Sequence, residues 1–505
     1  MLQVTLNITL SLEGPVLTKS STPGHYGIDA AMAENHKGRY YIPGSLIKGR
    51  LKQSWEELSD AVTYIQKEEI ENLLGKESGN IETKGMSVTP KRGLLIFSDF
   101  TSEKTGACIL HRIRMDEERG AVDTGALLVM ETPFAPGEKA CFHGTINYLV
   151  TDEARAAKIR GFIEEGLRWT TSLGSHRTVG FGKLINVAIS QTINQLQMND
   201  VEATGTSLVD NDRIGLVIQP HASFCIAKRR VSNNLFESET VIPGNIIKGA
   251  VASMWGQLLG KGSDMEISEG IDSQRTELSR HFEKIRFRHA FPAESSKITR
   301  PVTSPLSLCK AGKDKSFYDV VIYDTPVLID GKAANFDVDW KDRSGVDSDF
   351  GWAVPPMELR VRTAIERSTR KAKENQLFAY EMVIPDGLHW LSWIDLGKVP
   401  EIDRDRVITQ LNELLAFGLN GWGKTKVSAD VTLKDMNAIQ PQYESKLDSL
   451  NGQHIITLQT PAILCDPKML NETSSQAKLL DAYQAAWKQL SSDSLTLVIW
   501  RLLSP

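Results

Sequence analysis

Ile42-Pro43-Gly44-Ser45-Leu46-Ile47-Lys48-Gly49 returns 200 residues later as Ile242-Pro243-Gly244-Asn245-Ile246-Ile247-Lys248-Gly249. Six of the eight positions are identical, and Trp55 meets Trp255 at the same offset. Agreement that continues at fixed spacing past the motif marks an internal duplication. A second correspondence has an offset of 250: Arg112-Ile113-Arg114 through Leu127, Glu131 and Gly137 answers Arg360-Val361-Arg362 through Leu377, Glu381 and Gly387. Under that offset Arg112 faces Arg362. Each copy then closes with a helical stretch (153–169; 402–417), a glycine turn and a final strand. The turns are Gly180-Phe181-Gly182-Lys183 and Gly421-Trp422-Gly423-Lys424.

Within a copy the order is strand, long loop, strand, helix, variable insertion, strand, helix, glycine turn, strand. This predicts an α+β protein built from tandem ferredoxin-like (RRM-like) domains. The expected divisions are 1–200 for the first repeat, 208–440 for the second and 441–505 for a short α/β C-terminal extension. The insertion of the second copy, about 260–356, is the longer one. In the extension a strand (454–465), an amphipathic helix (475–490) and a last strand (495–503) are expected, with Leu479, Ala482, Ala486 and Leu490 docking on the second repeat.

Proline removes a ladder donor and glycine permits a tight turn, so Ile-Pro-Gly ends a strand. Ser45 and Asn245 are suited to cap the helix that follows. Ile47, Leu51, Trp55 and Leu58 share one helical face, as do Ile247, Val251, Trp255 and Leu258, and that face is core. Lys48, Lys248 and Lys52 lie elsewhere, near a helix start whose free N–H groups favour phosphate. The glycine turns let backbone approach a ligand, with Lys183 and Lys424 or Lys426 adding charge and Phe181 or Trp422 a ring for stacking.

Of the 505 residues, 41% are hydrophobic and 24% charged, the balance of a soluble globular protein of several domains. No run approaches the apolar length of a membrane span, and the alternating start resembles a strand rather than a signal peptide, so a cytoplasmic protein is expected. Five scattered cysteines offer no metal or disulfide spacing. A net charge of −5 leaves nucleic-acid binding to local basic stretches. Lys228-Arg229-Arg230, 284–288 and 360–373 supply them, Arg360 and Arg362 included. Walker, G-x-G-x-x-G, H-E-x-x-H and G-x-S-x-G signatures are missing, which argues against the common metabolic enzymes.

The Ile-Pro-Gly-x-x-x-Lys-Gly helix start, the Arg-rich segment leading to Leu-x-x-x-Glu and the terminal Gly-[Phe/Trp]-Gly-Lys turn together resemble the RAMP superfamily, the repeat-associated mysterious proteins. The resemblance covers about residues 1–435, twice over. It implies a backbone subunit of a type III CRISPR effector, here a fused pair in a type III-D-like variant, with an inserted thumb that interrupts the guide–target duplex. Expected partners are crRNA, target RNA, other RAMP subunits and the large and small subunits of the complex. In such subunits an aspartate in the loop before Ile-Pro-Gly cuts target RNA with a divalent metal. Asp29 occupies that place, and a carboxylate can hold Mg2+. His25 is a possible proton shuttle. Counting the same distance back from Ile242 reaches Arg229, beside Arg230, so the second repeat is expected to bind without cutting. A structural crRNA-binding subunit and a metal-free guide-processing endoribonuclease remain the alternatives.

Overall fold

The computed structural model describes residues 2–20, 26–62, 65–76, 91–116, 118–195, 212–232, 234–263, 265–304, 308–311, 317–319, 328–329, 332–333, 336–337, 344–365, 372–441 and 459–460, with 481, 484, 485 and 488. His25, the linker around 198–207 and nearly all of the expected extension lie outside them. The chain forms two compact units, Met1–Ser295 with Pro355–Ile439, and Ser296–Val354 with Gln440–Pro505. The first unit thus holds the first repeat and most of the second, whereas 296–354 of the second repeat's insertion group with the residues after 439, a division other than the expected one. Among the described residues no helix is long and apolar enough to cross a membrane.

The first repeat opens with β1 (Leu2–Glu13), whose even-numbered side chains from Leu2 to Leu12 are all buried. Period-two alternation over twelve residues commits one face to the core. There follow β2 (Ala30–Ala31), β3 (Tyr41–Ile42), α1 (Gly44–Val62), β4 (Ile96–Phe97), β5 (Phe100–Thr101), β6 (Cys108–Arg112), β7 (Leu128–Thr132), β8 (Lys139–Val150), α2 (Glu153–Trp169) and β9 (Lys183–Gln195). The main sheet runs β9-β1-β8-β5-β3, with β4 also on β8, and its pairs are antiparallel.

The second repeat contains β10 (Arg213–Pro220), β11 (Ala227–Ser232), β12 (Leu235–Ser238), α3 (Gly244–Leu258), α4 (Thr276–His281), β13 (Arg286–Phe287), β14 (Phe291–Glu294), β15 (Met357–Ile365), β16 (Ala372–Val383), β17 (Leu388–Asp395), α5 (Glu401–Leu415), β18 (Leu419–Trp422) and β19 (Val427–Asp435). Its main sheet runs β13-β17-β10-β19-β18, with β14 also on β17. Ranked by their place in each repeat, the main strands of both sheets lie fourth, first, third, second. The second-ranked strands, β4–β5 and β13–β14, come from stretches that the sequence assigns to insertions. The third, β8 and β17, follow hairpins that belong to separate small sheets.

Those small sheets are β2-β7-β6 and β11-β12-β16-β15. Arg112 pairs with Leu128 in one hairpin and Arg362 with Phe378 in the other, so both strands are displaced by 250. The offset read from the sequence is thus a real register.

The duplicated helix start has a different cap from the expected one. α1 and α3 begin at Gly44 and Gly244, and the carbonyls of Pro43 and Pro243 accept the first helical N–H groups. Asn245 Oδ1 instead faces the N–H of Ile246, at 2.9 Å. The Gly44 N–H donates to Asp99 Oδ1 at 2.9 Å, so a distant carboxylate does the capping. A Cβ at Gly44 would strike the carbonyl of Ser98, and one at Gly244 that of Phe287. Close packing of helix start on strand explains the repeated glycine.

The expected apolar faces are core: Ile47, Leu51, Trp55, Ile247, Val251, Trp255 and Leu258 are buried. Both of these indoles find an acceptor, Trp55 on the Phe162 carbonyl at 2.7 Å and Trp255 on Asp272 at 2.8 Å. In the second unit, the strand Leu308–Ala311 pairs with Phe317–Asp319 and Phe336–Asp337. The Thr303 N–H there donates to Gln459 Oε1 at 2.7 Å.

Candidate nucleic-acid interface

Asp29 stands at the head of β2, exposed to solvent. Its N–H donates to the Val129 carbonyl at 2.9 Å, and its Oδ2 accepts the Val129 N–H at 2.8 Å. The parallel β2–β7 ladder is two residues long, and the carboxylate extends it by taking the next donor. Among the described residues no three His, Cys, Asp or Glu side chains converge as a metal site. Among the described residues Asp29 Oδ1 accepts no hydrogen bond; a Mg2+ there would need water and phosphate oxygens for the rest of its shell.

The counterpart of Asp29 in the second repeat is not Arg229. Ala30 pairs with Met130, and Phe236 with Tyr380, which is Met130 shifted by 250. Leu235 therefore takes Asp29's place. Arg229 lies on β11, opposite Glu237, and Arg230 opposite Phe236. Asp29 stands thirteen residues before Ile42 and Leu235 seven before Ile242, because the first repeat has a longer turn there, bridged by Glu34 and Tyr40.

The register brings cations and rings together in the second repeat. The Arg362 guanidinium lies 5.4 Å from the Tyr380 ring centroid. Tyr380 and Phe236 stack with centroids 5.4 Å apart and planes 10° from parallel. Lys424 Nζ lies 5.1 Å from the Phe236 ring. Burial pushes the Tyr380 phenol up, with Arg362 opposing. Arg362 and Lys424, both expected to face RNA, thus bracket one aromatic pair. Phe236 and Tyr380 escaped the sequence reading because only the β12–β16 register makes them neighbours. The first repeat has Ala30 and Met130 in their places and Arg112 as the matching cation. Burial, then Lys19 and Arg112, pulls the nearby His176 imidazole down. Lys183 is exposed, 3.3 Å from Glu13.

The glycine turns are spent on the protein itself. Gly182, at φ +60°, packs on the Leu173 carbonyl and donates to Pro15 at 2.8 Å; Gly180, at φ +92°, has open space around it. Gly423 packs on the Cys225 carbonyl, and Gly421, at φ +64°, lies under the Arg92 guanidinium of the first repeat. Phe181 and Trp422 are buried, Phe181 against His176 and Trp422 against Phe224. Neither ring is open to a base, which corrects the expected stacking role.

Two cations assigned to RNA are engaged elsewhere. Lys248 donates to the carbonyls of Glu283 and Ile285 at 3.0 and 2.9 Å and lies over Phe282. Arg360 bonds Asp99 at 2.5 Å and Glu358 at 2.8 Å, and covers the Tyr41 ring. Despite burial, these carboxylates and Tyr41 raise the Arg360 pKa. Lys48 is half-buried on α1, Lys52 exposed, and Arg114 exposed and paired with Asp123 within its hairpin. The same hairpin exposes Ile109, Ile113 and Leu127, an apolar strip the sequence reading did not single out.

No curated protein matches this chain. A solved structure described as the "Cryo-EM structure of the Type III-B Cmr-beta bound to cognate target RNA" aligns at 16% identity and a TM-score of 0.26, over 37% of this chain and 60% of that one. The alignment thus spans less than two thirds of that chain, and likeness at this level carries no argument. Residues 9–185 match the RAMP superfamily, a span that includes the end of β1, the Ile-Pro-Gly helix, Asp29 and the first glycine turn. The first repeat is thus similar in sequence to the RAMP superfamily over residues 9–185.

Proposed function

We propose that the chain is a fused double-repeat backbone subunit of a type III CRISPR effector, of type III-D-like form, binding crRNA and cutting complementary target RNA at its first repeat. Each repeat is read as a ferredoxin-like domain, because fourth-first-third-second strand order with helices after the first and third strands is that arrangement. The neighbours would be other RAMP subunits and the large and small subunits of the complex, in the cytoplasm. The observation that carries the reading is the Arg362–Tyr380–Phe236–Lys424 series, joining cations to rings as single-stranded RNA binding requires.

For cutting, the Val129 N–H holds the Asp29 carboxylate in one orientation and leaves Oδ1 toward the solvent. A Mg2+ on that oxygen would supply charge neutralisation at the scissile phosphate. The RNA's own 2′-hydroxyl forms the new bond to phosphorus, and the bond to the 5′-oxygen breaks.

A structural role for Asp29 has its own support, the hydrogen bond to Val129. Asp29→Asn separates the two readings, since Asn keeps an acceptor and loses the charge. The assembled complex is given guide-complementary RNA with and without Mg2+. Loss of one metal-dependent cut, with binding retained, supports catalysis. If every cut survives in Asp29→Asn and Asp29→Ala, the chain is a scaffold.

A further inference from the structure

We infer that Lys424 and Lys426, with Arg92 behind them, form a phosphate site at which one RNA strand passes from the first repeat to the second. This rests on the RNA-binding reading above and adds a location that neither repeat has alone. Arg92, from the insertion of the first repeat, reaches into the glycine turn of the second. One of its nitrogens donates to Ser253 Oγ at 2.8 Å, and the other lies on the Asn420 carbonyl. Both acceptors are neutral. Among the described residues no carboxylate lies within ion-pair distance of Arg92, Lys424 or Lys426.

A partly buried guanidinium without a counter-charge carries a desolvation cost that an anion would offset. Burial alone pulls the Arg92 pKa down to about 10. Lys426 stays open to solvent, yet the surrounding protein and then Arg92, Lys48 and Lys424 pull it down to about 8. The charges acting on it, from β18–β19, from α1 and from the Arg92 strand, are all positive. Such crowding is a standing cost in the free protein, and a chain of phosphates removes it by displacing counterions. Gly421 is part of the same arrangement, because any Cβ there would occupy the space of the Arg92 guanidinium. Lys424 links this cluster to Phe236, so the site continues into the aromatic pair and Arg362.

The test is fluorescence anisotropy with a labelled 20-nucleotide oligouridylate, from 50 to 300 mM salt, using the full chain. Lys426→Asn suits the backbone, since φ at 426 is +58° and Asn tolerates that region. Lys424→Gln is the second variant. Each is expected to weaken binding about threefold to tenfold and to lower the salt slope by roughly 0.7. Calorimetry at pH 8 in Tris and in HEPES should show the wild type taking up roughly half a proton per strand, and Lys426→Asn none. If the wild type binds no RNA, both this site and the RNA-binding reading fall. If it binds and both variants match it in affinity, slope and proton uptake, only the junction site falls.

Discussion

Two glycines of the duplicated motif face opposite physical situations. Gly44 and Gly244 touch carbonyls of the neighbouring strand, whereas Gly49 and Gly249 have nothing within 4 Å of an added Cβ. Gly244→Ala should therefore destabilise the protein by roughly 2–4 kcal/mol, because backbone cannot move aside as a side chain can. Gly49→Ala should stabilise by about 0.5–1 kcal/mol, the usual gain from replacing glycine inside a helix. Urea unfolding of the two variants gives both signs, and a loss at Gly49 would mean that α1 is packed from outside. The motif was legible as a strand end and helix start. Which glycine is crowded was not, since that depends on Ser98 and Phe287, each over forty residues from its glycine.

At the scale of elements, α4 and α5 are joined by one carboxylate. Glu277 accepts from Thr276 Oγ1 at 2.7 Å, from Gln410 Nε2 at 2.7 Å and from Arg406 at 3.1 Å. The Thr276 hydroxyl first, then Gln410, hold its pKa at about 2, against an ordinary 4.5. A carboxyl depressed on folding stabilises the fold above its unfolded value and loses that contribution as pH falls through the folded one. The stability advantage of wild type over Glu277→Gln should thus be full above about pH 5 and shrink towards pH 2. Urea midpoints at pH 6 and pH 2.5 check this, and a constant difference would refute it. The helices 153–169 and 402–417 were readable from periodicity, and the structure has them at Glu153–Trp169 and Glu401–Leu415. β4, β5, β13 and β14 were not, because strands of two to four residues carry no period and are fixed by pairing with partners such as β8 and β17.

Across the whole of the first unit, the two repeats are tied by reciprocal cations. Arg92 reaches the second repeat, and Arg360 returns to Asp99, whose other oxygen caps α1. Arg360→Met leaves Asp99 and Glu358 half-buried without their counter-charge, and should cost roughly 3 kcal/mol. Adding Asp99→Asn should recover part of the loss, since one uncompensated charge is then removed; a chemical denaturation series on the single and double variants measures it. His36 and Lys37 also meet Asp386, at 2.8 and 2.7 Å, so three loops of the first repeat join this seam.

The chain's own order determined the duplication, the 250-residue register of the hairpins, the apolar faces of α1 and α3, and the region of the candidate site. These follow from residue type and spacing, and local sterics and periodicity act along the chain without help. Tertiary structure alone decided which cations face outward. Arg360 looks like Arg362 in sequence, and Lys248 like a solvated lysine, yet they meet the Asp99 carboxylate and the Glu283 and Ile285 carbonyls, brought in from distant segments. It likewise put Leu235 rather than Arg229 in Asp29's place, because a longer turn before Ile42 changes distance along the chain without changing the ladder. Electrostatic partnership and strand register are properties of space, and a sequence specifies them only through the fold.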